Sequence, residues 1–278
     1  MATTTIKPIE SSRATIYGLA AMAANAYGVN VDENLAMTLN TMYGVFATQV
    51  PKNPLTVRHI TYGYGGAAND SNSLVYANTV SGLNGNLFNP MAVRAVPLAQ
   101  DLTNAERAKY GLRKVELVGG QQYAIYYASA LDFTSSTVQL MRKDPTTGIL
   151  TTYTPDSANM TPTPLSADAN GVVTDPADVI SVVIPATLTI NGSDVIEVIN
   201  ALYSGNMQYA RITEYGQIAS SQETVTVNDA NDVPFSYTEL IGAQLASHYT
   251  WGGFQVVSES SVLTRTINIT LANFAIRR

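Results

Sequence analysis

Long alternating segments dominate the C-terminal part of the chain, and few fold classes accommodate them. Apolar and polar side chains alternate there with a period of two, which predicts strands at residues 207–218, 223–227, 235–249, 253–258 and 262–274. In the last of these, Ile267, Ile269 and Leu271 lie on one face. Such strands bury one face by packing as two layers or by closing into a barrel. The sequence therefore predicts a mainly β protein with a β-sandwich or a barrel-like domain or domains.

The first 50 residues predict helices instead. Ser11 or Ser12 caps a first helix that Gly28 ends, and Asp32 caps a second helix. Both segments carry apolar residues at helical spacing. We expect a helical hairpin that forms the minor α part of the fold. Its apolar faces have two alternative partners, which are the chain's own sheet and a neighbouring subunit.

Shorter elements are predicted in the middle of the chain. They are a strand at 55–62, a capping box of Thr103 and Glu106 before a short helix ended by Gly111, hairpins at 113–131 and 137–154, a strand at 179–190, and a helix from Ser193 to Gly205. We therefore divide the chain into an N-terminal helical segment, a β-rich domain with long loops and a C-terminal β-rich domain, at 1–50, 51–192 and 193–278. The alternative is that the two β-rich parts pack as one unit.

Two polar segments interrupt this pattern. Residues 63–89 are rich in Gly and Asn, and residues 155–178 are rich in Pro, Asp, Asn, Ser and Thr. Long loops in compact domains are usually functional. We expect both segments, together with the helical N-terminus, to reach neighbouring subunits.

The charge content is low and restricts the possible partners. Only 13% of residues are Asp, Glu, Lys or Arg, against roughly 25% in an average soluble domain. Weakly charged surfaces suit proteins that pack against neighbours. The formal net charge is −6, and basic residues form only short groups such as Arg107 with Lys109 and Arg113 with Lys114. We expect no nucleic-acid partner.

Membrane and secretion signals are also missing from the sequence. No run of apolar residues approaches the length of a membrane span, and the N-terminus lacks the apolar core of a secretion signal. The chain has no cysteine, which excludes disulfides and cysteine-bound zinc. We expect no membrane partner, with synthesis and assembly in a host cytoplasm.

The residues that carry chemistry are few and scattered. His59 and His248 lie in predicted strands, and the chain has no Gly-x-Ser-x-Gly turn to present a nucleophile. Four glutamates on or beside predicted strands offer acids for an alternative function, glycoside hydrolysis, and these are Glu214, Glu223, Glu239 and Glu259. We predict that the protein is not an enzyme.

Metal and cofactor sites are not expected either. Asp168, Asn170, Asp175 and Asp178 resemble part of a calcium loop, but their spacing departs from the EF-hand pattern. The run from Gly63 to Gly66 lacks the Lys-Ser/Thr of a phosphate loop.

Aromatic residues are the candidate contact residues. The chain has 16 tyrosines, and tyrosine gives large contact area at low cost in conformational entropy. We predict protein–protein contacts at Tyr62, Tyr64, Tyr123, Tyr126, Tyr127 and Trp251.

Three segments together resemble a known class of proteins. They are Pro97-Leu-Ala-Gln-Asp-Leu-Thr-Asn-Ala-Glu-Arg-Ala-Lys-Tyr-Gly-Leu-Arg-Lys, Gly119-Gly-Gln-Gln-Tyr-Ala-Ile-Tyr-Tyr, and Ile267-Asn-Ile-Thr-Leu-Ala-Asn-Phe. Their texture is similar to that of tail and baseplate structural proteins of contractile-tailed bacteriophages, baseplate wedge proteins in particular. The resemblance implies a β-rich wedge or connector subunit, present in several symmetry-related copies, that links a tail hub to peripheral parts. It carries over no catalytic residue.

These observations favour a structural virion protein of a tailed phage, located in the tail or baseplate, whose partners are other virion proteins. The alternatives are a head–tail connector, a collar, a capsid decoration or a fibre-attachment protein. A glycan-binding tip and a cell-wall hydrolase are further alternatives.

Overall fold

The computed structural model describes residues 11–29, 38–70, 73–76, 83–134, 136–143, 149–154, 169 and 179–271. The predicted fold class is confirmed, because the chain is mainly β with a minor helical part. The strands are β1 (Ser11–Ala14), β2 (Thr56–Gly63), β3 (Ala67–Asp70), β4 (Ser73–Tyr76), β5 (Pro90–Met91), β6 (Arg94–Pro97), β7 (Tyr110–Val118), β8 (Gln121–Ala130), β9 (Gln139–Lys143), β10 (Leu150–Thr152), β11 (Val179–Asn191), β12 (Arg211–Asn228), β13 (Pro234–Gln255) and β14 (Val262–Leu271). The helices are α1 (Ile16–Tyr27), α2 (Leu39–Tyr43), α3 (Asn104–Arg107) and α4 (Gly192–Leu202), with short 3-10 helices at Leu98–Gln100 and Met207–Tyr209.

The larger sheet has eight strands and curls into a half-barrel. Its order is β1-β13-β12-β2-β8-β6, with β5 paired to β2 and β7 paired to β8. A second sheet has the order β10-β9-β11-β14, and β3 pairs with β4 in a hairpin. A hydrophobic cluster on the larger sheet joins β7, β12 and β13 to α2, and it includes Leu39, Leu112, Ile218 and Leu240.

The four strands predicted between residues 207 and 258 are two longer ones in the structure. β12 has 18 residues and β13 has 22, and 207–209 is a 3-10 helix instead of strand. The ladder continues because the irregular positions are absorbed by register shifts, for example between Ala219 and Ser221, and by Gly242 and Gly253, whose φ angles are 62° and 86°. Bulges and positive-φ glycines bend a strand without ending it.

The N-terminal helices pack on the chain's own sheet. Gly28 ends α1 in the left-handed conformation, as predicted. The predicted cap was wrong, because Ser11 and Ser12 belong to β1 and Thr15 is the N-cap, its hydroxyl accepting from the Gly18 N–H. Both α1 and α2 contact β13, so the first of the two predicted partners of these helices is the one observed.

The second helix is shorter than predicted. α2 begins after Thr38, whose hydroxyl accepts from the Thr41 N–H, and it ends at Gly44. The predicted cap Asp32 lies outside the described residues. The side chain of Leu39 is fully buried.

Several elements in the middle of the chain match the prediction. Thr103 and Glu106 form the capping box of α3, and the Gly119-Gly120 turn joins β7 to β8. Gly111 was predicted to end α3, but it lies in β7, where a Cβ would overlap the side chain of Leu240. The predicted cap Ser193 was also wrong, since α4 begins one residue earlier, after Asn191.

Two compact units make up the chain. One contains residues 1–131 and 189–263, and the other contains residues 132–188 and 264–278. The predicted boundaries at residues 50 and 192 do not coincide with these units. The reason is that the N-terminal helices and β12–β13 share one sheet, which joins both ends of the chain into the first unit.

We predict that Gly18→Ala loosens α1 from the sheet. A Cβ at this position would overlap the carbonyl oxygen of Ala246, and overpacking of this kind costs about 1–3 kcal/mol. Urea unfolding should show a lower free energy of unfolding for this variant. The control is Asn25→Ala on the exposed side of α1, which should not destabilise the protein because Ala favours helix.

Candidate functional site

A buried carboxylate ties the two ends of the 63–89 segment to the sheet. Glu214 of β12 is fully buried. Its carboxylate accepts hydrogen bonds from the backbone N–H groups of Gly65, Phe88 and Asn89 at 2.8–2.9 Å. His248 of β13 lies with Nε2 at 2.9 Å from the same carboxylate. Four neighbours therefore replace the water that an exposed glutamate would bind.

Two glycines make this approach possible. A Cβ at Gly63 would overlap the carbonyl oxygen of Asn89, and a Cβ at Gly65 would lie 2.6 Å from Oε1 of Glu214. The run that failed as a phosphate loop is thus a close-packing segment. Within the 63–89 segment, residues 71, 72 and 77–82 lie outside the described part, and β3 pairs with β4. Contacts of this segment with neighbours stay a prediction.

A second buried carboxylate caps the edge of β7. Glu239 of β13 accepts from the N–H groups of Leu112 and Arg113 at 2.6 and 2.9 Å, and from the Tyr237 hydroxyl at 2.7 Å. Leu112 is buried with φ of 56°, a conformation that costs free energy for a leucine. Burial raises the pKa of Glu239, and its hydrogen-bond donors act in the opposite direction.

The other two glutamates are used differently. Glu223 is opposite Glu239 in the β12–β13 register, and it accepts from the Lys52 N–H at 2.6 Å while its second oxygen lies 3.6 Å from the Lys52 ammonium. Glu259 lies exposed after β13. Glycoside hydrolysis needs two carboxyl groups that flank a substrate. Glu214 and Glu239 have their oxygens occupied by backbone and side-chain donors, so they act as structural anchors.

His59 is buried in β2, with Nδ1 lacking a hydrogen-bond partner among the described residues. Burial lowers the pKa of His59 to about 4, with a smaller contribution from Arg58. The imidazole is therefore neutral near pH 7, as expected for a core residue.

The candidate contact tyrosines divide into two groups. Tyr62 and Tyr126 are buried in their own chain, where their hydroxyls donate to the Val93 carbonyl and to Asp101. Tyr64, Tyr123 and Tyr127 are partly exposed. Tyr64 packs edge-on against Tyr203 and Tyr209, and Tyr127 stacks on Tyr43. The side chain of Trp251 lies outside the described part. Partner contacts of the exposed tyrosines stay a prediction.

The short basic groups are neutralised within the chain. Arg107 and Arg113 both pair with Asp101, at 3.5 and 2.7 Å, and Lys114 pairs with Glu116 at 2.9 Å. Arg107 also covers the ring of Phe235 at 4.1 Å. These cations serve the fold through ion pairs and ring contacts.

A free strand edge is the main open feature of the larger sheet. β2 pairs with β12 only between Glu214 and Ser220. Beyond this point β12 continues to Asn228 with β13 on one side, and no strand lies on its other side in the described part of the chain. A pocket of about 560 Å³ borders this edge, between β12 and the segment from Phe46 to Lys52. Unpaired backbone groups and a partly apolar pocket are suited to receiving another strand.

Metal sites and membrane helices were searched in the described ranges. No group of three or more His, Asp or Glu side chains that could hold a metal occurs in them. The partial calcium pattern at 168–178 falls outside them, apart from residue 169. None of the helices in these ranges is long and apolar enough to cross a membrane.

Comparisons with known proteins gave one match. The sequence model of a family of unknown function, DUF7208, matches residues 1–269. Neither a curated protein nor a solved structure matches the chain.

We predict that Glu214→Gln loosens the 63–89 segment. The amide NH₂ would face donors that now bind Oε1 or Oε2, which leaves buried N–H groups without an acceptor at a cost of about 1–3 kcal/mol. Limited proteolysis should cut this segment faster, and urea unfolding should show the lower stability. Glu259→Gln is the matched control, and equal behaviour of both variants would contradict the anchoring role.

We also predict that His59 makes stability depend on pH. The unfolded chain protonates this residue near pH 6.5 and the folded chain only near pH 4, so the free energy of unfolding falls as pH falls through this window. Between pH 7 and pH 5 the wild type should lose about 2 kcal/mol more than His59→Gln. Other titrating groups are common to both proteins, and equal losses in urea unfolding would remove His59 as the cause.

Proposed function

Since the chain belongs to the DUF7208 family, whose function is unknown, we propose a function from the chain's own geometry. It is a structural, non-enzymatic virion protein that assembles with other virion proteins through symmetric contacts, in the tail or baseplate of a tailed phage. The observation that carries this proposal is the free edge of β12 beyond Ser220. A strand edge left open beside a partly apolar pocket supports a role in protein association.

The use of charge supports the same proposal. Glu214 and Glu239 bind backbone N–H groups in the interior, and the basic groups around Arg113 are paired with acids of their own chain. A chain with 13% charged residues that spends many of them on internal contacts has a surface suited to neighbours. The sequence resemblance to phage baseplate proteins adds the position in the virion.

The position is tested on purified particles. We expect mass spectrometry to find the protein in them, and immunogold microscopy with an antibody against the purified chain to label the tail or baseplate. Antibody blocked with the purified chain is the control. Label at the neck or on the head would replace the tail position by a connector, collar or capsid role. Absence of the protein from particles would overturn the proposal.

The hydrolase alternative has its own test. Purified protein is incubated with bacterial cell walls and the release of soluble fragments is measured for the wild type and for Glu223→Gln and Glu259→Gln. We expect no release by any of them. Release by the wild type that is lost in one variant would show an enzyme.

A further inference from the structure

The distal part of the β12–β13 hairpin is a two-stranded ribbon with one open side. The open side is the edge of β12 from Thr224 to Asn228, past the last residue that pairs with β2. One face of this ribbon packs on Phe46 through Val225, and the other face is exposed. A single ribbon leaves half of its backbone groups without a strand partner.

The turn of the hairpin fixes which backbone groups point outward. The Asp229 N–H donates to the Val233 carbonyl at 2.9 Å, which makes this a hydrogen-bonded pair. Such pairs alternate with non-hydrogen-bonded ones along an antiparallel ladder. The N–H and C=O groups of Thr224, Thr226 and Asn228 therefore point to the open edge.

This edge lacks the charges that usually protect an edge strand. Its sequence is Thr-Val-Thr-Val-Asn, which is uncharged and β-branched apart from the Asn. The edge of β7 is different, because Lys114 and Glu116 lie along it and the carboxylate of Glu239 occupies the N–H groups at its start. Within the first unit, one edge is thus guarded and the other is unguarded.

We propose that the open edge of β12 pairs with the same edge of a second copy of this chain, antiparallel about a two-fold axis at Thr226. Thr226 then exchanges hydrogen bonds with Thr226 of the second copy, and Thr224 does so with Asn228 of the second copy. This inference rests on the proposed function as an assembly protein and names a partner for it.

Side chains and charges fit this register. Val225 lies opposite Val227 of the second copy, next to the pocket that Phe46 and Val50 line. Glu223 lies opposite Asp229 of the second copy. The Lys52 side chain is 83% exposed and 3.6 Å from Glu223, so its ammonium offsets both carboxylates at each end of the ladder. Asp229 thereby gains a cation that its own chain does not place beside it in the described part.

The test uses thiol cross-linking, since the chain has no cysteine. Thr226→Cys places two thiols opposite each other across the axis, with Cα atoms about 5.5 Å apart. A short bismaleimide, which adds one thiolate sulfur to each maleimide double bond, should join them into a covalent dimer. The matched control is Thr238→Cys, exposed on the same face but one strand further out, where the two thiols are on the order of 14 Å apart.

A second variant tests the hydrogen bonds. Thr226→Pro removes an outward N–H and leaves the bonds between β12 and β13 intact. Sedimentation should show a dimer for the wild type and a monomer for this variant at the same concentration, with circular dichroism confirming that both are folded. If Thr226→Pro fails to fold, Thr226→Lys replaces it, because it sets two like charges face to face.

The outcomes separate the two proposals. Equal cross-linking of the two cysteine variants, or a wild type that is monomeric at every concentration, would overturn the two-fold pairing and leave a virion role in place. Absence from virus particles would overturn the virion role even if the dimer forms.

Discussion

The β12–β13 ladder is the interaction on which the larger unit depends. It runs from Arg211 opposite Gln255 to Asn228 opposite Pro234. β1 adds to its β13 side, β2 adds to its β12 side, and α1 and α2 pack on β13. Strands this long twist and must curl, and the register shifts in β12 supply local bends. The half-barrel is the shape that results.

Buried carboxylates complete the fold where regular pairing stops. Near Gly65 and Phe88 the chain leaves the sheet, and Glu214 accepts the N–H groups that have no strand beside them. At the irregular start of β7, Glu239 does the same for Leu112 and Arg113. An isolated buried charge is expensive, but several N–H donors offset that cost. Glutamates on strands are therefore weak signals for catalysis in this chain.

The sequence predicts local structure better than it predicts connections. The end of α1 at Gly28 and the Gly119-Gly120 hairpin follow from residue types whose conformational preferences act locally. The cap at Thr15 was missed because pairing of β1 with β13 decides it, and such pairing is not local. The merging of four predicted strands into two was missed for a related reason, since bulges leave little trace in an alternating pattern.

The candidate site was harder to predict than the fold. Alternation of apolar and polar residues is the same in a strand with two neighbours and in a strand with one, so the sequence does not show that β2 stops at Ser220. The tyrosines illustrate the same limit. Tyr62 and Tyr126 share strands with more exposed tyrosines, and only the curvature and layering of the sheet place them in the core.

The low charge content has a local meaning once the ion pairs are known. Asp101 serves Arg107 and Arg113, and Lys114 is paired with Glu116 along the edge of β7. The charges in these places stabilise the core or guard an edge. The stretch from Thr224 to Asn228 receives none. A strand edge remains unguarded at a cost in solubility, and association that covers it offsets this cost, which is why the edge of β12 is the surface that distinguishes this protein as an assembly component.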